Sequence, residues 1–322
     1  MRIAIFGGTA FIGWHLSRHL GSRGHELLLV HRGKTEPEGL PDAEHLHVER
    51  SELAGAAADV AAFRPDVVVD CLAMSREGAE AGLAAIPEGA RAVMWSSVDV
   101  YRGYTAMMRE TCTDAVPFFE DSPVREERYP YADQGHTTYE KLDAEEAYLA
   151  RGGTVLRLSM IYGPRDYQRR EEFVLRRLRA GRDRIPIGSG GFVTSRCFAP
   201  DVAELTRLVC EREDVGGEVF NACERAAWPM AALAREIVDA AGSDAELVRV
   251  PDDRLPPDMG MTGAIAQHLL ASSDKARTVL GWSHTDPREA LRETVRWHLD
   301  NPPPQSDPDF SADDEALAAV AG

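Results

Sequence analysis

Small residues close the first apolar stretch of the chain in a pattern that can bind phosphate. In "IAIFGGTAFIGWHL" the residues Gly7, Gly8, Ala10 and Gly13 join an apolar run to a helical pattern. Such residues let the backbone approach a pyrophosphate, whose charge is stabilised by the N-terminus of the following helix. The spacing is G-x-x-A-x-x-G rather than G-x-G-x-x-G, and a turn that only packs helix on strand is the alternative. Its position directly after the first predicted strand favours a dinucleotide site, which would also include Thr9, Phe11 and Ile12.

The second apolar run ends in basic residues that bear on the choice of cofactor. An NAD site usually has Asp or Glu here, which accepts hydrogen bonds from the ribose hydroxyls. This chain has His31 and Arg32, with Lys34 nearby, in "LLLVHRGK". Cations suit the extra phosphate of NADP(H), so we predict that NADP(H) is favoured over NAD(H). Solvated loop charges are the alternative, and Glu49 in "HVERSEL" is a candidate contact for the adenine edge.

Two histidines in "EHLHV" could form part of a metal site. His45 and His47 would lie on one side of a strand, because side chains alternate along an extended chain. An exposed polar strand face explains the same pattern. Nothing in the neighbouring sequence completes a set of four ligands. We therefore predict no metal site.

Apolar runs that alternate with helical patterns must position these residues. The runs are "RIAIF", "HELLLV", "DVVVDCLA", "ARAVMWSS" and "TVLRLSMIY". Strands that are apolar throughout are typical of parallel sheets covered on both faces. The sequence thus predicts an α/β fold with a Rossmann-type doubly wound parallel sheet, whose ligand cleft lies at the carboxyl ends of the strands.

A second, smaller domain is indicated by the less regular pattern after "YGPRD". Three amphipathic helices are predicted there, and the last, "DPREALRETVRWHLD", has Asp286 as its N-cap and Pro287 in its first turn. The proline-rich and acidic end, 301–322, is predicted to be a mobile tail with at most one short helix. We predict a dinucleotide-binding domain that covers 1–162 and includes 198–222. A smaller, mostly C-terminal α/β substrate domain covers 163–197 and 223–300.

Composition narrows the classes of partner. The 322 residues carry a net charge of −17, which disfavours nucleic acids and anionic membranes as partners. No apolar run is long enough to span a bilayer. The five cysteines show no C-x-x-C spacing, so a disulfide framework or structural zinc site is disfavoured and a reducing cytoplasm is expected.

A series of motifs resembles those of the extended short-chain dehydrogenase/reductases, which include nucleotide-sugar epimerases, dehydratases and ketoreductases. "GGTAFIG" is similar to the family's "GGTGFIG", and "SSVDVYRG" to its "S-S-x-x-V-Y-G". "KLDAEE" resembles "K-x-x-A-E", and "LRLSMIYGPRD" resembles "L-R-x-x-x-V-Y-G-P". "TSRCFAPDVAELT" and "SSDKARTVLGW" match later motifs. The resemblance extends to about Pro302, and it indicates the family far more specifically than the substrate.

The resemblance implies a catalytic set of Ser or Thr, Tyr and Lys. Ser97 lies four residues before Tyr101, where the family has its Ser or Thr, and its hydroxyl would hydrogen-bond the substrate carbonyl or alcohol. Lys141 matches the family's lysine. Its charge would bind the nicotinamide ribose and favour the phenolate of a nearby tyrosine.

The tyrosine of this set is displaced. The family's tyrosine precedes the lysine by one helical turn, and that position is Thr137. Tyr139 stands two residues before Lys141, roughly 200° away around an ideal helix. Either the helix begins at or after Tyr139, or another tyrosine serves, or proton transfer has been lost. The shorter spacing is similar to a branch that resembles the chloroplast stem-loop-binding proteins, and a packing role for Tyr139 is the alternative.

Further contacts follow from the matched motifs. Arg196, in the family's "R-x-F" position, is the first choice for a bidentate anion contact, with Tyr101 as a second substrate contact. Four nearby arginines are interpreted as a solvated helix face: Arg169, Arg170, Arg176 and Arg177. The cofactor contacts implied by the resemblance are Leu72, Ala73, Met74, Ser96, Lys141, Ser159 and Ile161.

The resemblance implies an NAD(P)-dependent enzyme that is epimerase/dehydratase-like or ketoreductase-like. Its substrate would be a nucleotide sugar or a related carbonyl or alcohol, and a homodimer formed through the helix of Lys141 would fit the family. A non-catalytic cofactor-binding protein is the alternative that Thr137 supports. An RNA-associated role is disfavoured by the net charge of −17.

Overall fold

A computed structural model describes the chain over residues 1–304 and 309–320. The strands are, in chain order, β1 (Arg2–Phe6), β2 (Glu26–His31), β3 (Glu44–His47), β4 (Val67–Asp70), β5 (Arg91–Ser97), β6 (Thr154–Leu158), β7 (Met160–Tyr162), β8 (Arg184–Ile187), β9 (Arg196–Phe198), β10 (Val219–Ala222) and β11 (Glu246–Arg249). Seven of them form one parallel sheet in the order β10-β6-β5-β4-β1-β2-β3. The predicted Rossmann-type parallel sheet is confirmed.

Helices connect these strands. They are α1 (Phe11–Ser22), α2 (Ala57–Phe63), α3 (Arg76–Ala85), α4 (Arg102–Met108), α5 (Lys141–Ala150), α6 (Glu172–Arg179), α7 (Ala199–Cys210), α8 (Met230–Ala240), α9 (Asp274–Leu280), α10 (Pro287–Asp300) and α11 (Ser311–Ala318). Short 3₁₀ segments are Arg50–Ala56, Val98–Val100, Ala132–Gln134, Asp252–Arg254 and Pro257–Thr262. Within the described ranges, none of the helices has the length and apolar character required to cross a bilayer.

The central strands are buried on both faces, as their continuous apolar sequences predict. In β1, Ile3 and Ile5 pack into a core cluster that includes Leu16 of α1 and residues of α7. The alternate residues Ala4 and Phe6 face a second cluster with α2, α3 and α5. Side chains of a strand point alternately to opposite faces, so only a chain apolar at every position can fill both clusters.

The order of the sheet creates a cleft beside β1. This strand pairs with β2 on one side and with β4 on the other, so the chain reverses its direction of winding there. Loops at the carboxyl ends of neighbouring strands diverge at such a switch point. The cleft therefore collects the residues that follow β1, β2, β4 and β5.

A third core cluster lies outside the main sheet. It is formed largely by α6, α8 and α10, with Leu175, Ile237 and Leu291 among its buried residues. Two small parallel pairs, β7 with β9 and β8 with β11, accompany it. The run "TVLRLSMIY", predicted as one strand, is therefore divided between the main sheet (β6) and a separate pair (β7). Uniform apolarity does not show where a chain leaves a sheet.

The caps of α10 follow the sequence prediction. The carboxylate of Asp286 accepts hydrogen bonds from the backbone N–H groups of Arg288 and Glu289, at 3.0 and 3.2 Å. Pro287 occupies the first turn, where its missing N–H costs nothing. The start of α10 is thus fixed by local sequence.

The C-terminal segment differs from the predicted mobile tail in its described part. Helix α11 docks on the body of the protein, with Asp313 and Leu317 buried. The carboxylate of Asp313 accepts two hydrogen bonds of 2.7 Å from Arg177, and both side chains are fully buried. Arg177, which we interpreted as part of a solvated helix face, is therefore an internal anchor for this helix. The rest of the predicted tail at 305–308 and 321–322 lies outside the described residues.

Candidate active site

The turn after β1 has the geometry of a phosphate cradle. Gly7 adopts a φ of +100°, a conformation that residues with a side chain rarely adopt. A Cβ added at Gly13, in the first turn of α1, would collide with the carbonyl oxygen of Gly7. Helix α1 therefore begins close against the turn, and its N-terminus lies where a pyrophosphate would be stabilised. The turn therefore packs α1 closely against β1, and it also has the geometry of a phosphate-binding turn.

A cavity of about 330 Å³ extends from this turn to the end of β2. This volume is at the lower end of the range of about 300–1,000 Å³ that is usual for ligand pockets. Its lining includes residues from the predicted cofactor set: Gly7, Thr9, Ala10, His31, Arg32, Lys34, Glu49 and Leu72. Apolar walls come from Phe6, Val30, Val48 and Leu53, which could contact an adenine ring. The residues present fit the adenosine half of a dinucleotide.

The two basic residues at the far end of this cavity differ in whether a carboxylate neutralises their charge. Lys34 pairs with Glu49 at 3.0 Å, so its charge is partly neutralised. Arg32 is exposed on the cavity wall, and within the described ranges no ion pair engages its guanidinium. His31, rather than an acid, ends β2. Burial, together with His45 and His47, lowers the pKa of His31.

An unpredicted network lies beneath the cofactor cavity. The buried carboxylate of Asp70 accepts hydrogen bonds from Arg50 at 2.9 and 2.6 Å and from the hydroxyl of Tyr148. It also accepts one from the backbone N–H of Leu72, at 2.9 Å. Asp70 ends β4, so this network sets the path of the loop that lines the cavity.

Helix α5 begins at Lys141, and this resolves the geometry of the displaced tyrosine. Glu140 is the N-cap, with an extended backbone, and its carboxylate accepts a hydrogen bond of 2.9 Å from the N–H of Leu142. Tyr139 therefore precedes the helix, and the 200° offset of an ideal helix does not apply to it. Of the arrangements left open by the sequence, the structure has the helix that begins after Tyr139.

A buried ion pair holds this helix entry in place. Arg125 donates two hydrogen bonds of 2.7 Å to Glu140, and both side chains are fully buried. The N–H of Tyr129 bonds the same carboxylate at 2.7 Å. Because Glu140 is fixed on both sides, the backbone at Tyr139 is directed toward the end of β5.

Two tyrosines converge on one carboxylate there. The hydroxyls of Tyr139 and Tyr131 donate to the same oxygen of Asp99, at 2.8 and 3.0 Å. The other oxygen of Asp99 is buried and has no hydrogen-bond partner among the described residues. The hydroxyl of Ser97 accepts a hydrogen bond from the N–H of Asp99 at 3.2 Å. An unpartnered buried oxygen beside two phenols points to a site for a ligand.

The pKa values of Asp99 and Tyr139 are both raised. Burial raises the pKa of Asp99, while its hydrogen bonds from the tyrosines oppose the rise. Burial and the charge of Asp99 raise the pKa of Tyr139 well above its ordinary value. The phenol therefore holds its proton at neutral pH, in contrast to the expected phenolate. The arrangement can donate a proton from Tyr139 and exchange it with Asp99.

Lys141 is fixed at the junction of two strands. Its Nζ donates to the carbonyl oxygens of Ala73 and Trp95, both at 2.9 Å. Burial lowers the pKa of Lys141 to about 8, an effect that nearby carboxylates oppose. An ammonium group has three donors, so one has no hydrogen-bond partner among the described residues.

These features can now be compared with known proteins. A model of the NAD dependent epimerase/dehydratase family matches residues 3–86 and 80–223, which together are more than half of the chain. The chain belongs to this family. The predicted family membership is therefore confirmed.

Two curated relatives of this family member cover most of its length. Chloroplast stem-loop binding protein of 41 kDa b from Arabidopsis thaliana is 29% identical over 338 residues, which span 98% of this chain and 84% of that protein. A 3-diazoavenalumate denitrifying reductase from a Streptomyces species is 25% identical over 313 residues, which span 89% and 97%.

Solved structures share the fold of this epimerase/dehydratase family member. A dTDP-glucose 4,6-dehydratase from Bacillus anthracis, in complex with NAD, has a TM-score of 0.72 at 16% identity, over 94% of this chain and 97% of that one. A UDP-glucose 4-epimerase from Thermotoga maritima, solved with UDP-glucose, has a TM-score of 0.72 at 22% identity, over 94% and 99%. At these identities the likeness establishes the fold.

Several residues predicted from family motifs have other partners. Tyr101 is fully buried, and its hydroxyl donates to Asn221 at 2.7 Å, which fits a packing residue; the predicted substrate contact stays a prediction. Arg196 is buried, stacks 4.0 Å from the ring centroid of Tyr162 and pairs with Glu171. Its charge is thus already compensated by Glu171, and the predicted anion contact stays a prediction. Thr137 is exposed on the loop before α5, not on the helix.

The predicted cofactor residues that do not line the cavity have other contacts in the structure. The hydroxyls of Ser96 and Ser159 are turned to Glu145 and to the carbonyl of Ala222, at 2.5 and 2.8 Å. Phe11 and Ile161 are core residues of the main sheet, and Ile12 packs against the same core. Ala73 contributes its carbonyl to Lys141. Met74 is exposed, and its carbonyl accepts from the N–H of Glu140 at 2.8 Å.

Asp99 and Tyr131 were missed by sequence reasoning. Asp99 stands between Val98 and Val100, two residues after Ser97, and an acid in an apolar stretch is a signal for a functional group. Tyr131 offers no such signal, because it lies in an irregular segment eight positions before Tyr139.

Four side chains of types that can bind a metal lie close together in the structure. The ligand atoms of His31, Glu36, His45 and His47 lie within 4.8 Å of one another. The loop after β2 folds back and brings Glu36 and the end of β2 to the two histidines of β3. The alternating pattern of His45 and His47 does not by itself show this convergence.

Proposed function

We propose that this family member is an NAD(P)-dependent oxidoreductase that interconverts a carbonyl and an alcohol, with Tyr139 as proton donor and Asp99 as its relay partner. The observation that carries the proposal is the hydrogen bond of 2.8 Å from the hydroxyl of Tyr139 to the buried Asp99, beside Ser97.

The residues that would hold the cofactor follow the cleft. The turn at Gly7 and the N-terminus of α1 would bind the pyrophosphate, and the cavity would take the adenosine. Arg32 would contact a 2′-phosphate, which is the reason to favour NADP(H). Lys141 would contact the nicotinamide ribose through its third donor. A bound nicotinamide supplies or accepts hydride at the substrate carbon.

The protein's own residues would manage the proton. During reduction, Tyr139 donates its hydroxyl proton to the substrate oxygen, and a protonated Asp99 returns a proton to the phenol oxygen. Solvent then reprotonates Asp99. Oxidation runs in reverse: Tyr139 accepts the alcohol proton while its own passes to the Asp99 carboxylate. Ser97 would orient the substrate oxygen by a hydrogen bond.

The substrate class that is best supported is a carbonyl compound or its alcohol. The Streptomyces relative is named as a reductase. A nucleotide sugar is the second candidate, because the Thermotoga structure contains UDP-glucose. The compensated charge of Arg196 does not favour a diphosphate at that position. A homodimer stays a prediction.

The test begins with the small molecules released when the purified protein is denatured. Tightly held NAD would favour a redox-neutral reaction such as epimerisation. An empty protein that takes up NADPH, and then consumes it with a panel of ketones, aldehydes and keto-sugar nucleotides, would support reduction. Calorimetric titration that shows no affinity for any nicotinamide dinucleotide would contradict the proposal.

A further inference from the structure

A cluster of metal-ligand side chains lies at the edge of the main sheet, beside the cofactor cavity. In the parallel register of β2 and β3, His31 is directly opposite His47, and His45 lies two residues earlier on the same side of β3. Glu36 approaches from the loop between the strands. The exposed polar strand face that the sequence suggested does not require three imidazoles and a carboxylate to converge.

The distances within the cluster are those of a ligand set that is nearly closed. The Nε2 of His31 is 2.8 Å from the Nδ1 of His45, and the Nε2 of His47 is 2.7 Å from Oε1 of Glu36. The same Glu36 oxygen is 3.6 Å from His31 and 3.8 Å from His45. In a tetrahedral site with bonds of about 2.0–2.1 Å, the ligand atoms are about 3.3 Å apart. Movements of less than about 1 Å along these four separations would reach that geometry.

We propose that His31, Glu36, His45 and His47 bind a divalent transition-metal ion, with zinc as the best fit. Imidazole ligands select zinc, cobalt, nickel or copper over magnesium and calcium, which prefer oxygen. The carboxylate of Glu36 supplies a negative charge that attracts a dication, and imidazole binds a metal in its neutral form. Four protein ligands fill a tetrahedron, so this is a structural or regulatory site rather than one that activates water.

The ion would tie the loop after β2 to the edge of the sheet. This loop carries Arg32 and Lys34, and His31 itself lines the cofactor cavity. Without metal, the Nδ1 of His31 accepts a hydrogen bond from the N–H of Gly33 at 3.2 Å. If the metal binds Nε2 of His31, the ring proton lies on Nδ1, which can then no longer accept the hydrogen bond from Gly33. Gly33, at φ +70°, runs so close to His47 that an added Cβ would be 3.2 Å from its ring.

The experiment measures zinc binding to the full chain after treatment with a chelator. Calorimetry near neutral pH should show one equivalent of zinc bound. The double variant His45→Ala/His47→Ala should lose at least about 100-fold in affinity, because it removes two of four ligands. The exposed histidine variant His136→Ala is the matched control and should bind zinc like the unmodified protein. Cobalt should give the visible absorption bands of tetrahedral coordination.

Crystals soaked with zinc give a second readout that does not depend on the variants. An anomalous difference peak between β2 and β3 would support the site. Equal zinc affinity in the unmodified protein and the double variant would overturn the proposal, since the exposed Cys112 or other groups would then bind the ion. Circular dichroism of the metal-free variants separates loss of ligands from loss of fold. None of these measurements depends on the proposed enzymatic activity.

Discussion

The cofactor end of the cleft is built from segments that follow strands directly, whereas the catalytic end is assembled from a long irregular loop. Gly7, Thr9 and Ala10 lie within one turn, and their positions follow from β1 and α1. Tyr131 and Tyr139 reach Asp99 from 32 and 40 residues away in sequence. The first end can be located by a motif. The second depends on the Arg125–Glu140 pair, which no motif contains.

The two ends of the cleft also differ in whether their charged groups are exposed or buried. Arg32 at the cofactor end is exposed and can meet an anion from solvent. Asp99 at the catalytic end is buried, and burial raises its pKa. Perturbed carboxyls of this kind commonly occur at active sites, where they lower the stability of the folded protein.

The largest effect is expected from Tyr139→Phe. Removing the proton donor should lower kcat by about 10²–10⁴-fold, the usual contribution of general acid–base catalysis. Nicotinamide cofactor affinity, measured by calorimetry, should change little. Tyr131→Phe is the matched control, since it removes a phenol that bonds the same Asp99 oxygen and should cost much less. Equal turnover by Tyr139→Phe and the unmodified protein would favour the non-catalytic alternative.

Asp99→Asn should separate activity from stability. Because the folded-state pKa of Asp99 is raised, its contribution to stability is present below the ordinary carboxyl pKa of about 3.9 and lost as pH rises through the folded value. The variant should therefore have a higher Tm at neutral pH but a kcat lower by about 10–100-fold.

The pH profile provides the control for Asp99. In the unmodified protein the reduction rate should fall as pH rises through the raised pKa of Asp99, because the relay needs its proton. Asp99→Asn should lack that limb. A profile unchanged by the substitution would show that Asp99 does not exchange protons during turnover.

The substitution Gly13→Ala tests the cofactor end of the cleft through a steric clash and changes no charge. The added methyl group would meet the carbonyl of Gly7, so α1 must shift away from the turn. We expect a loss of about 1–3 kcal/mol in the free energy of unfolding, together with weaker dinucleotide binding. Gly55→Ala, where nothing lies within 4 Å of the added carbon, is the control for both measurements. An unaffected cofactor affinity in Gly13→Ala would remove the turn from the binding site.

Arg32→Asp is expected to have a similar or smaller effect, confined to the cofactor. It should weaken NADP(H) binding by about 1–3 kcal/mol, the scale of a charge-assisted hydrogen bond. NAD(H) affinity should fall less, since it lacks the 2′-phosphate. Arg23→Asp, an equal change of charge at an exposed site beyond α1, controls for the overall charge. Tighter binding of NAD(H) than NADP(H) by the unmodified protein would refute the predicted preference.

The sequence predicted the sheet and the cofactor turn because both depend on local patterns. Continuous apolar runs specify strands buried on two faces, and a glycine turn after the first strand specifies a close helix start. The partners of Arg196 and Tyr101 could not be predicted, for the opposite reason. Their motifs are right, but Glu171 and Asn221, which engage them, lie elsewhere in the chain.

By itself, the sequence determined the fold class, the family and the residues that follow each strand of the main sheet. Only the tertiary structure decided which side chains meet. It starts α5 at Lys141, aims Tyr139 at Asp99, and folds Glu36 back onto three histidines. The physical reason is range: backbone patterns act over a few residues, whereas hydrogen bonds and metal ligation act between groups that only the packed chain brings together.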